Sequence, residues 1–416
     1  MNNFQIVFKN TSFLFFSEVV IKILGLFYFV FLARNLSVDI FGRYNLVTSF
    51  VTIFSFLPDI GIGLVVVREI AQKKYDLSLL LGNTFIISAV MSLVAMLVII
   101  TAGIFLGFTG EVILLLFISS LTLLFSQIRS IPLFYFDGIE RMEYSAVLKA
   151  VNSLLLIGFG LTGYILGFGL IGIIGGFLVG SVLSFLITWI VFLLKKIKIN
   201  LRFDKTITKR LFYDGFPLGI AAFSSLVYGT IDGIMLERMI SESALGIYSS
   251  AVKFGPTILQ LLNVPFIVAV YPALSRLSAD TIRFKKAILK SAGAVLLWSL
   301  PVSFGVAFFA DIIPVIFGQK YNMGVPILRV LIFFVPFAAV SAVLYKVLIV
   351  IRKQNLYLAI SIFGVVVNVV LNFVLIEKFQ IMGAAFAAVV TQAGLFLAYA
   401  VAVYYFVVRY AKVRKK

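Results

Sequence analysis

Ionisable side chains stand inside long apolar stretches of this sequence, where water is scarce. The acidic ones are Glu18, Asp59 and Asp232, and the basic ones are Lys22, Arg129, Lys149, Lys253, Arg329 and Lys346. A charge at the centre of a bilayer costs about 2.5–3.5 kcal/mol on insertion scales, so these residues are candidates for function. Buried lysine and arginine suit a phosphate-bearing anion, whereas a buried carboxylate suits a proton or a small cation.

The depth of each basic residue separates the candidates. Lys22 lies about eleven residues into its apolar stretch and Lys253 about eight, so both are expected to face a water-filled lumen. Arg329 lies about five residues from an external end, so its depth is intermediate between that of the lumen candidates and that of the residues that can snorkel. The remaining bases lie within about two turns of cytosolic ends, where snorkelling to the headgroups explains them equally well: Arg129, Lys149 and Lys346. The candidates for a cationic substrate site are Lys22, Lys253, Arg329 and Arg129.

A predicted helix break surrounds Asp59. The segment FLPDIGIGL (56–64) places a proline and two glycines around this acid, and Asn263 and Pro265 stand at the matching place in the second half of the chain. Broken helices at matching places indicate the binding region of a transporter. Asp59 could bind a coupling cation or proton, or it could anchor the backbone amides that the break leaves free.

The other two acids are also candidates for coupling or gating. Glu18 precedes Lys22 by four positions, which favours an ion pair on one helix face, and mutual neutralisation during insertion is the alternative. Asp232 has the same two interpretations as Asp59 and lies nearer the outer end of its stretch.

Composition identifies the environment of these residues. The chain has 416 residues, of which 62% are hydrophobic and 12% charged, against about 45–50% and 25% in soluble domains. It is an integral membrane protein, and because the apolar runs have no polar alternation, helices rather than barrel strands are predicted. Without cysteine or histidine, it has no thiolate or imidazole metal site and no histidine proton shuttle. The first apolar run is long enough to stay as a span rather than be cleaved as a signal peptide.

The apolar runs predict an all-α polytopic fold of about twelve transmembrane helices. They lie at about 11–33, 41–67, 78–106, 112–135, 143–166, 170–194, 213–236, 245–272, 287–310, 324–350, 355–376 and 381–408. The expected domains are an N-terminal lobe (1–194), a basic cytosolic linker (195–212), a C-terminal lobe (213–408) and a basic cytosolic tail (409–416). The formal charge of +18 concentrates in alternate loops, so both termini are predicted to be cytosolic.

The two halves are related by duplication. Residues 34–44 and 238–248 align without a gap as R-x-[LI]-S-x-x-x-[FL]-G-x-Y, and FGLIGIIGG (168–176) has a weaker echo in FQIMGAAFA (379–387). Because each half has an even number of spans, the halves are predicted to be parallel repeats, two six-helix lobes around a central cavity. In the motif itself, the serines are expected to cap helices and the glycines to permit close packing.

The duplication does not extend to the charges. Glu18 aligns with Ala222, Lys22 with Leu226, Asp232 with Tyr28 and Lys253 with Ser49. A lumen with excess positive charge attracts an anion, and a ligand with phosphates is the simplest way to offset several buried cations.

Four segments carry a resemblance to a known family. They are FGRY (41–44), PDIGIG with VREIA (58–71), LGIYSSAVKF (245–254) and YPALSRL (271–277). With them the whole chain resembles the polysaccharide transporter branch of the multidrug/oligosaccharidyl-lipid/polysaccharide exporter superfamily, the Wzx-like flippases. The resemblance implies a V-shaped, two-lobed transporter with a cationic cavity and alternating access. The chain ends after the twelfth predicted helix, whereas peptidoglycan lipid II flippases typically have two more.

The predicted function is flipping of polyprenyl-(pyro)phosphate-linked oligosaccharide across the cytoplasmic membrane for surface polysaccharide or glycan assembly. The alternatives are a cation-coupled multidrug antiporter of the same superfamily, a lipid II-type flippase, and a membrane-embedded glycan enzyme using Asp137, Glu140 and Glu143. The antiporter is disfavoured because it would require mainly acidic residues at its binding site, and the enzyme because these carboxylates are interspersed with helix-end signals.

The expected partners are the lipid-linked oligosaccharide and membrane lipids. A polysaccharide polymerase and glycosyltransferases are candidate protein partners, and nucleic acid is not expected. No catalytic residue, metal site or cofactor is predicted, apart from a coupling Na⁺ or H⁺.

Overall fold

The protein is described by a computed structural model covering residues 3–259, 274, 277, 280–351 and 353–413, and every regular element among them is helical. The helices before residue 240 are α1 Asn3–Asn35, α2 Val38–Phe54, α3 Phe56–Asp59, α4 Ile62–Gln72, α5 Leu77–Phe105, α6 Gly110–Gly138, α7 Met142–Ile165, α8 Gly169–Leu193 and α9 Lys205–Met239. Those that follow are α10 Glu242–Val252, α11 Thr281–Phe308, α12 Ile312–Phe317, the 3₁₀ turn Gln319–Tyr321, α13 Gly324–Leu331, α14 Phe334–Val350, α15 Gln354–Phe379 and α16 Ile381–Val413.

Ten segments of the described chain are long and apolar enough to cross a membrane. Their outward surfaces carry exposed side chains such as Phe105, Leu289 and Phe363, which suit contact with lipid rather than water. The expected all-α polytopic membrane protein is confirmed. The predicted span at 245–272 runs into residues 260–273, which lie outside the described part of the chain.

The predicted break in the second span is confirmed. Helix α3 ends at Asp59, the next two residues are left-handed with φ of 42° at Ile60 and 74° at Gly61, and α4 begins at Ile62. Glycine adopts this conformation without the steric cost that a side chain imposes. The matching residues, Asn263 and Pro265, lie outside the described residues.

Helix α9 begins at Lys205, earlier than the boundary near 213 that hydropathy suggested. The reason is a local cap: Asp204 Oδ1 accepts hydrogen bonds from the backbone N–H groups of Thr206 at 2.8 Å and Ile207 at 3.1 Å. Such a cap stabilises a helix by about 1 kcal/mol. Much of the basic segment is therefore helical.

The described chain forms two compact units. Unit 1 comprises Met1–Asn35 and Val47–Leu226, and unit 2 comprises Leu36–Leu46 and Val227–Lys416. Each has its own apolar core: unit 1 buries a cluster that includes Val66, Leu81, Ile131 and Phe192, and unit 2 buries one that includes Phe284, Val347, Leu348 and Val403.

Unit 2 brings the two copies of the duplicated motif together through backbone contacts. A Cβ atom added to Gly42 would lie 1.8 Å from the Glu242 carbonyl oxygen, and one added to Gly246 would lie 2.4 Å from the Val38 carbonyl oxygen. Only glycine permits this approach. The predicted close packing at both glycines is confirmed.

Polar contacts reinforce the junction between the motif copies. Arg43 donates two hydrogen bonds to Glu242, at 2.8 and 3.0 Å, and Ser243 donates to Asp39. The Ser241 hydroxyl accepts from the Ala244 N–H at 3.2 Å. In the first copy, the Ser37 hydroxyl accepts from the Ile40 N–H at 3.3 Å, so the predicted serine caps are confirmed.

Candidate functional site

Arg129, in α6 of unit 1, is a buried cation. The residue is 8% exposed, and its Nε and Nη1 atoms are buried without a hydrogen-bond partner among the described residues. It lies about 14 Å along the helix from Gly138, at 1.5 Å per residue. A guanidinium carries five N–H donors and stays protonated, so its desolvation is offset only when acceptors approach it. Arg129 therefore has the properties of an anion-binding group.

Hydroxyl groups line the contact between α6 and α8. The Ser126 and Ser181 hydroxyl oxygens lie 3.2 Å apart. Ser184 and Thr188 follow at helical spacing on α8, and their buried hydroxyl oxygens have no hydrogen-bond partner among the described residues. An unsatisfied buried polar group costs about 1–3 kcal/mol. The two α8 hydroxyls are therefore buried polar groups whose cost a water molecule or another acceptor would relieve.

Asp59 lies at the helix break next to α6. Its Oδ1 accepts a hydrogen bond from the Gly63 N–H at 2.8 Å, and the Gln127 side chain of α6 lies beside the same carboxylate. The acid thus satisfies backbone that the break leaves free, which is the structural one of its two predicted roles. A role in coupling stays a prediction.

The other predicted residues are distributed over both units. Glu18 and Lys22 are exposed on α1 in unit 1, one helical turn apart, and Lys253 is exposed after the end of α10 in unit 2. Arg329 of α13 donates to Asp311 at 2.8 Å and borders a pocket of about 680 Å³. Because Arg329 already has a carboxylate partner, it is a weaker candidate for phosphate than Arg129.

Asp232, in α9, is the buried acid of unit 2. It is 9% exposed; its Oδ1 accepts from Asn372 Nδ2 at 2.7 Å and its Oδ2 from the Tyr248 hydroxyl at 3.1 Å. Both donors are neutral. A buried carboxylate is costly without a compensating charge, so this environment favours binding of a proton or a small cation.

More oxygen atoms surround this acid. Asn368 Oδ1 lies 3.1 Å from Asn372 Nδ2, and Asn368 Nδ2 lies 3.5 Å from Thr391 Oγ1. The Oδ1 atom of Asn372 is buried without a hydrogen-bond partner among the described residues. We call Asp232, Tyr248, Asn368, Asn372 and Thr391 the oxygen cluster. Carboxylate, amide and hydroxyl oxygens are ligands that hard cations prefer.

Sequence reasoning found Asp232 but missed the side chains that surround it. The stretch VVVNVVLNFV (365–374) contains Asn368 and Asn372 four residues apart in an otherwise apolar span. Two amides on one face of an apolar helix are expensive to bury unless they have partners. That spacing was an available signal for a polar site.

Two family models match the sequence. The model described as polysaccharide biosynthesis protein matches residues 7–278, and the model described as MatE matches residues 217–374.

Curated relatives match over different lengths. The "Putative O-antigen transporter" of Shigella flexneri is 24% identical over 91% of this chain and 93% of its own. The "Capsular polysaccharide biosynthesis protein CapF" of Staphylococcus aureus is 23% identical over 96% and 98%. The "Probable low-salt glycan biosynthesis flippase Agl15" of Haloferax volcanii is 23% identical over 40% of this chain and 36% of its own.

Solved transporters share the fold. An inward-facing multidrug resistance MATE family transporter of the MOP superfamily superposes with a TM-score of 0.72 at 17% identity, covering 94% of this chain and 96% of its own. The lipid II flippase MurJ, in an inward closed conformation, superposes with a TM-score of 0.75 at 18% identity, covering 95% and 87%. At such identity the likeness concerns the fold alone.

Proposed function

The chain belongs to the polysaccharide biosynthesis protein family, and from that premise we propose that it flips polyprenyl-(pyro)phosphate-linked oligosaccharide across the cytoplasmic membrane. The names of two relatives that align over most of both chains, an O-antigen transporter and a capsular polysaccharide biosynthesis protein, support this substrate class. The positive-inside pattern supports an orientation with both termini in the cytosol. Glycosyltransferases would assemble the oligosaccharide before this step, and a polymerase would use it afterwards.

The observation that carries the proposal is the buried Arg129, whose Nε and Nη1 atoms have no hydrogen-bond partner in the described part of the chain. Moving a diphosphate through hydrocarbon unaided requires desolvation of charge, at about 20 kcal/mol per ion in idealised Born estimates. An arginine that is already desolvated offsets part of this cost by charge-assisted hydrogen bonds to phosphate oxygens.

The proposed mechanism breaks no covalent bond. Arg129 binds the diphosphate, the glycan crosses in water, and the polyprenyl chain stays in the lipid. Lys22 and Lys253 are candidate auxiliary cations because both are exposed, whereas Arg329 would have to exchange its Asp311 partner. Alternating access would move the bound headgroup between the two leaflets.

Coupling is assigned to the oxygen cluster. Asp232 would bind Na⁺ or H⁺, with oxygens of Asn368, Asn372 and Thr391 completing the environment. Moving one charge through 100 mV is worth about 2.3 kcal/mol, enough to bias a transport cycle. Glu18 and Asp59 remain candidates for gating, and the contact from Gly63 to Asp59 supports anchoring for the latter.

A second candidate function is cation-coupled drug export. The buried acid Asp232 and the match of residues 217–374 to the MatE model favour it. A cationic drug would bind an acidic site, and the unpaired Arg129 would then oppose binding. The lipid II-type alternative shares the mechanism proposed here and differs in the glycan.

Deletion of the gene in its host tests the proposed function. We expect complete lipid-linked oligosaccharide to accumulate on the cytosolic side, with loss of surface polymer, as measured by mass spectrometry and leaflet-selective labelling. A plasmid copy should restore export. Normal surface glycan together with altered sensitivity to cationic drugs would contradict the flippase proposal and support the antiporter.

A further inference from the structure

A basic pocket lies at the start of α9 in unit 1. Its volume is about 520 Å³, and its lining includes Lys205, Lys209, Arg210, Tyr213 and Tyr75. This volume accommodates a headgroup-sized ligand. None of the residues discussed for transport lines it.

The acidic side chains near the pocket are already paired. Asp214 accepts from Arg68 at 2.6 Å and lies 3.7 Å from Arg210. Glu69, 1% exposed, lies 2.8 Å from Arg68 and 3.8 Å from Arg210. Two arginines thus balance two carboxylates beside the pocket.

The lysines at the pocket are not paired in this way. Lys205 and Lys209 are exposed, and neither has an ion-pair partner among the described residues. They are four residues apart, so their ammonium groups lie on one face of α9. The pocket therefore carries two uncompensated positive charges and attracts an anion.

The N-terminus of α9 does not itself supply the anion-binding groups. The Asp204 carboxylate already accepts from the N–H groups of Thr206 and Ile207. Recognition must come from side chains: ammonium groups of the lysines and hydroxyls of the tyrosines, which are donors suited to phosphate oxygens.

The exposed face of α9 indicates which anion could reach the pocket. Lys205, Lys209, Tyr213 and Phe216 lie within one stripe of the helix, and Tyr213 is 79% and Phe216 55% exposed. Along the roughly 16 Å from Lys205 to Phe216 the stripe changes from charged to aromatic. This order matches headgroup, interface and hydrocarbon at a membrane surface. This order suits a pocket that opens at headgroup depth.

We propose that this pocket binds the phosphate of an anionic membrane phospholipid, with Lys205 and Lys209 as the cationic ligands and Phe216 against the acyl chain. Basic pockets at the ends of membrane helices recognise such headgroups. The site is independent of transport and lies on α9, next to the buried Glu69 network that ties α4 to α9. Occupancy would hold the start of α9 at the membrane surface.

Binding of fluorescent phosphatidylglycerol to the full-length protein in neutral detergent tests this site. Lys205→Gln/Lys209→Gln should weaken binding by roughly 30-fold, because each lysine near an anionic lipid surface contributes about fivefold in affinity. The matched control is Lys196→Gln/Lys198→Gln, which removes the same charge from the same basic segment outside the pocket. Wild type should prefer phosphatidylglycerol to phosphatidylcholine.

Several outcomes would overturn the proposal. One is unchanged binding by the Lys205/Lys209 variant, provided that its thermal unfolding matches wild type. Another is equal loss in the control, which would indicate a general positive field. Displacement by inorganic phosphate as effective as by unlabelled phosphatidylglycerol would indicate a soluble ligand, and stronger displacement by polyprenyl diphosphate would indicate a substrate-loading site.

Discussion

Arg129 of unit 1 and Asp232 of unit 2 are buried groups of opposite charge, and their surroundings differ. Arg129 of unit 1 has buried donor atoms without partners among the described residues, whereas Asp232 of unit 2 accepts from both a tyrosine and an asparagine. An unpaired buried cation is an expensive feature whose cost a bound anion would relieve. A carboxylate held by neutral donors can exchange a proton or small cation with little rearrangement. We therefore expect different ligands at the two groups, an anion at Arg129 and a proton or small cation at Asp232.

Arg129→Met gives the largest expected effect. It should lower export by about 30-fold or more, since removal of a buried charge from its partner costs about 2–5 kcal/mol. The same change should leave thermal stability unchanged or raise it, because a desolvated charge is removed. Export is measured by surface polymer and stability by thermal unfolding in detergent. Arg141→Met, at an exposed arginine paired with Glu143, is the control.

A loss of both export and stability in Arg129→Met would contradict this account. It would mean that the guanidinium stabilises the folded protein through contacts rather than serving a ligand. The proposed difference between Arg129, with two donor atoms lacking partners among the described residues, and Asp232, whose carboxylate accepts hydrogen bonds, would then not hold.

Asp232→Asn should reduce export less than Arg129→Met and should affect its coupling to an ion gradient. The amide keeps one oxygen for hydrogen bonding, so we expect a loss of stability of about 1 kcal/mol. Transport driven by a Na⁺ or H⁺ gradient should lose its dependence on that gradient, measured in proteoliposomes with and without it. Asp76→Asn is the matched control, because this exposed acid accepts a hydrogen bond from the backbone N–H of Leu79 and has no proposed role in transport. Equal loss of coupling in both variants would contradict the assignment of ion coupling to the oxygen cluster.

Gly42→Ala tests the contact between the two copies of the duplicated motif, where the two halves of the chain remain alike. The added methyl would collide with the Glu242 carbonyl, so we expect destabilisation of about 1–3 kcal/mol, as in overpacked cores. Gly305→Ala, where a Cβ meets nothing within 4 Å, should be neutral or stabilising. Chemical denaturation of the two variants measures the difference. Equal stability would mean that the motif copies pack less closely than described.

Local signals were sufficient for part of this structure. The helix break at Asp59 and the caps at Ser37 and Ser241 follow from backbone chemistry within a few residues. The repeated motif indicated close packing at Gly42 and Gly246, although the partners of these glycines belong to the other copy of the motif. The periodic apolar runs likewise sufficed for an all-α membrane fold.

Features that depend on tertiary packing were not predictable in the same way. The link between Asp232 and Asn372 spans 140 positions and depends on how α15 is rotated against α9. From its position in the apolar stretch, Arg129 could equally have snorkelled to the headgroups. Two of its donor atoms lack partners among the described residues because of how the neighbouring helices pack, which the sequence does not show. The early start of α9, and with it the lysine pocket, depended on a cap within a segment that hydropathy assigned to a linker.

The most direct test of the central claim is equilibrium binding of polyprenyl diphosphate and of neutral polyprenol to purified wild type and Arg129→Met. Arg141→Met serves again as the control. We predict that wild type and the control bind the diphosphate much more tightly than the alcohol, and that Arg129→Met loses about 100-fold of diphosphate affinity while its affinity for polyprenol is unchanged. Equal diphosphate affinity in wild type and Arg129→Met would contradict the assignment of this arginine as the phosphate-binding group.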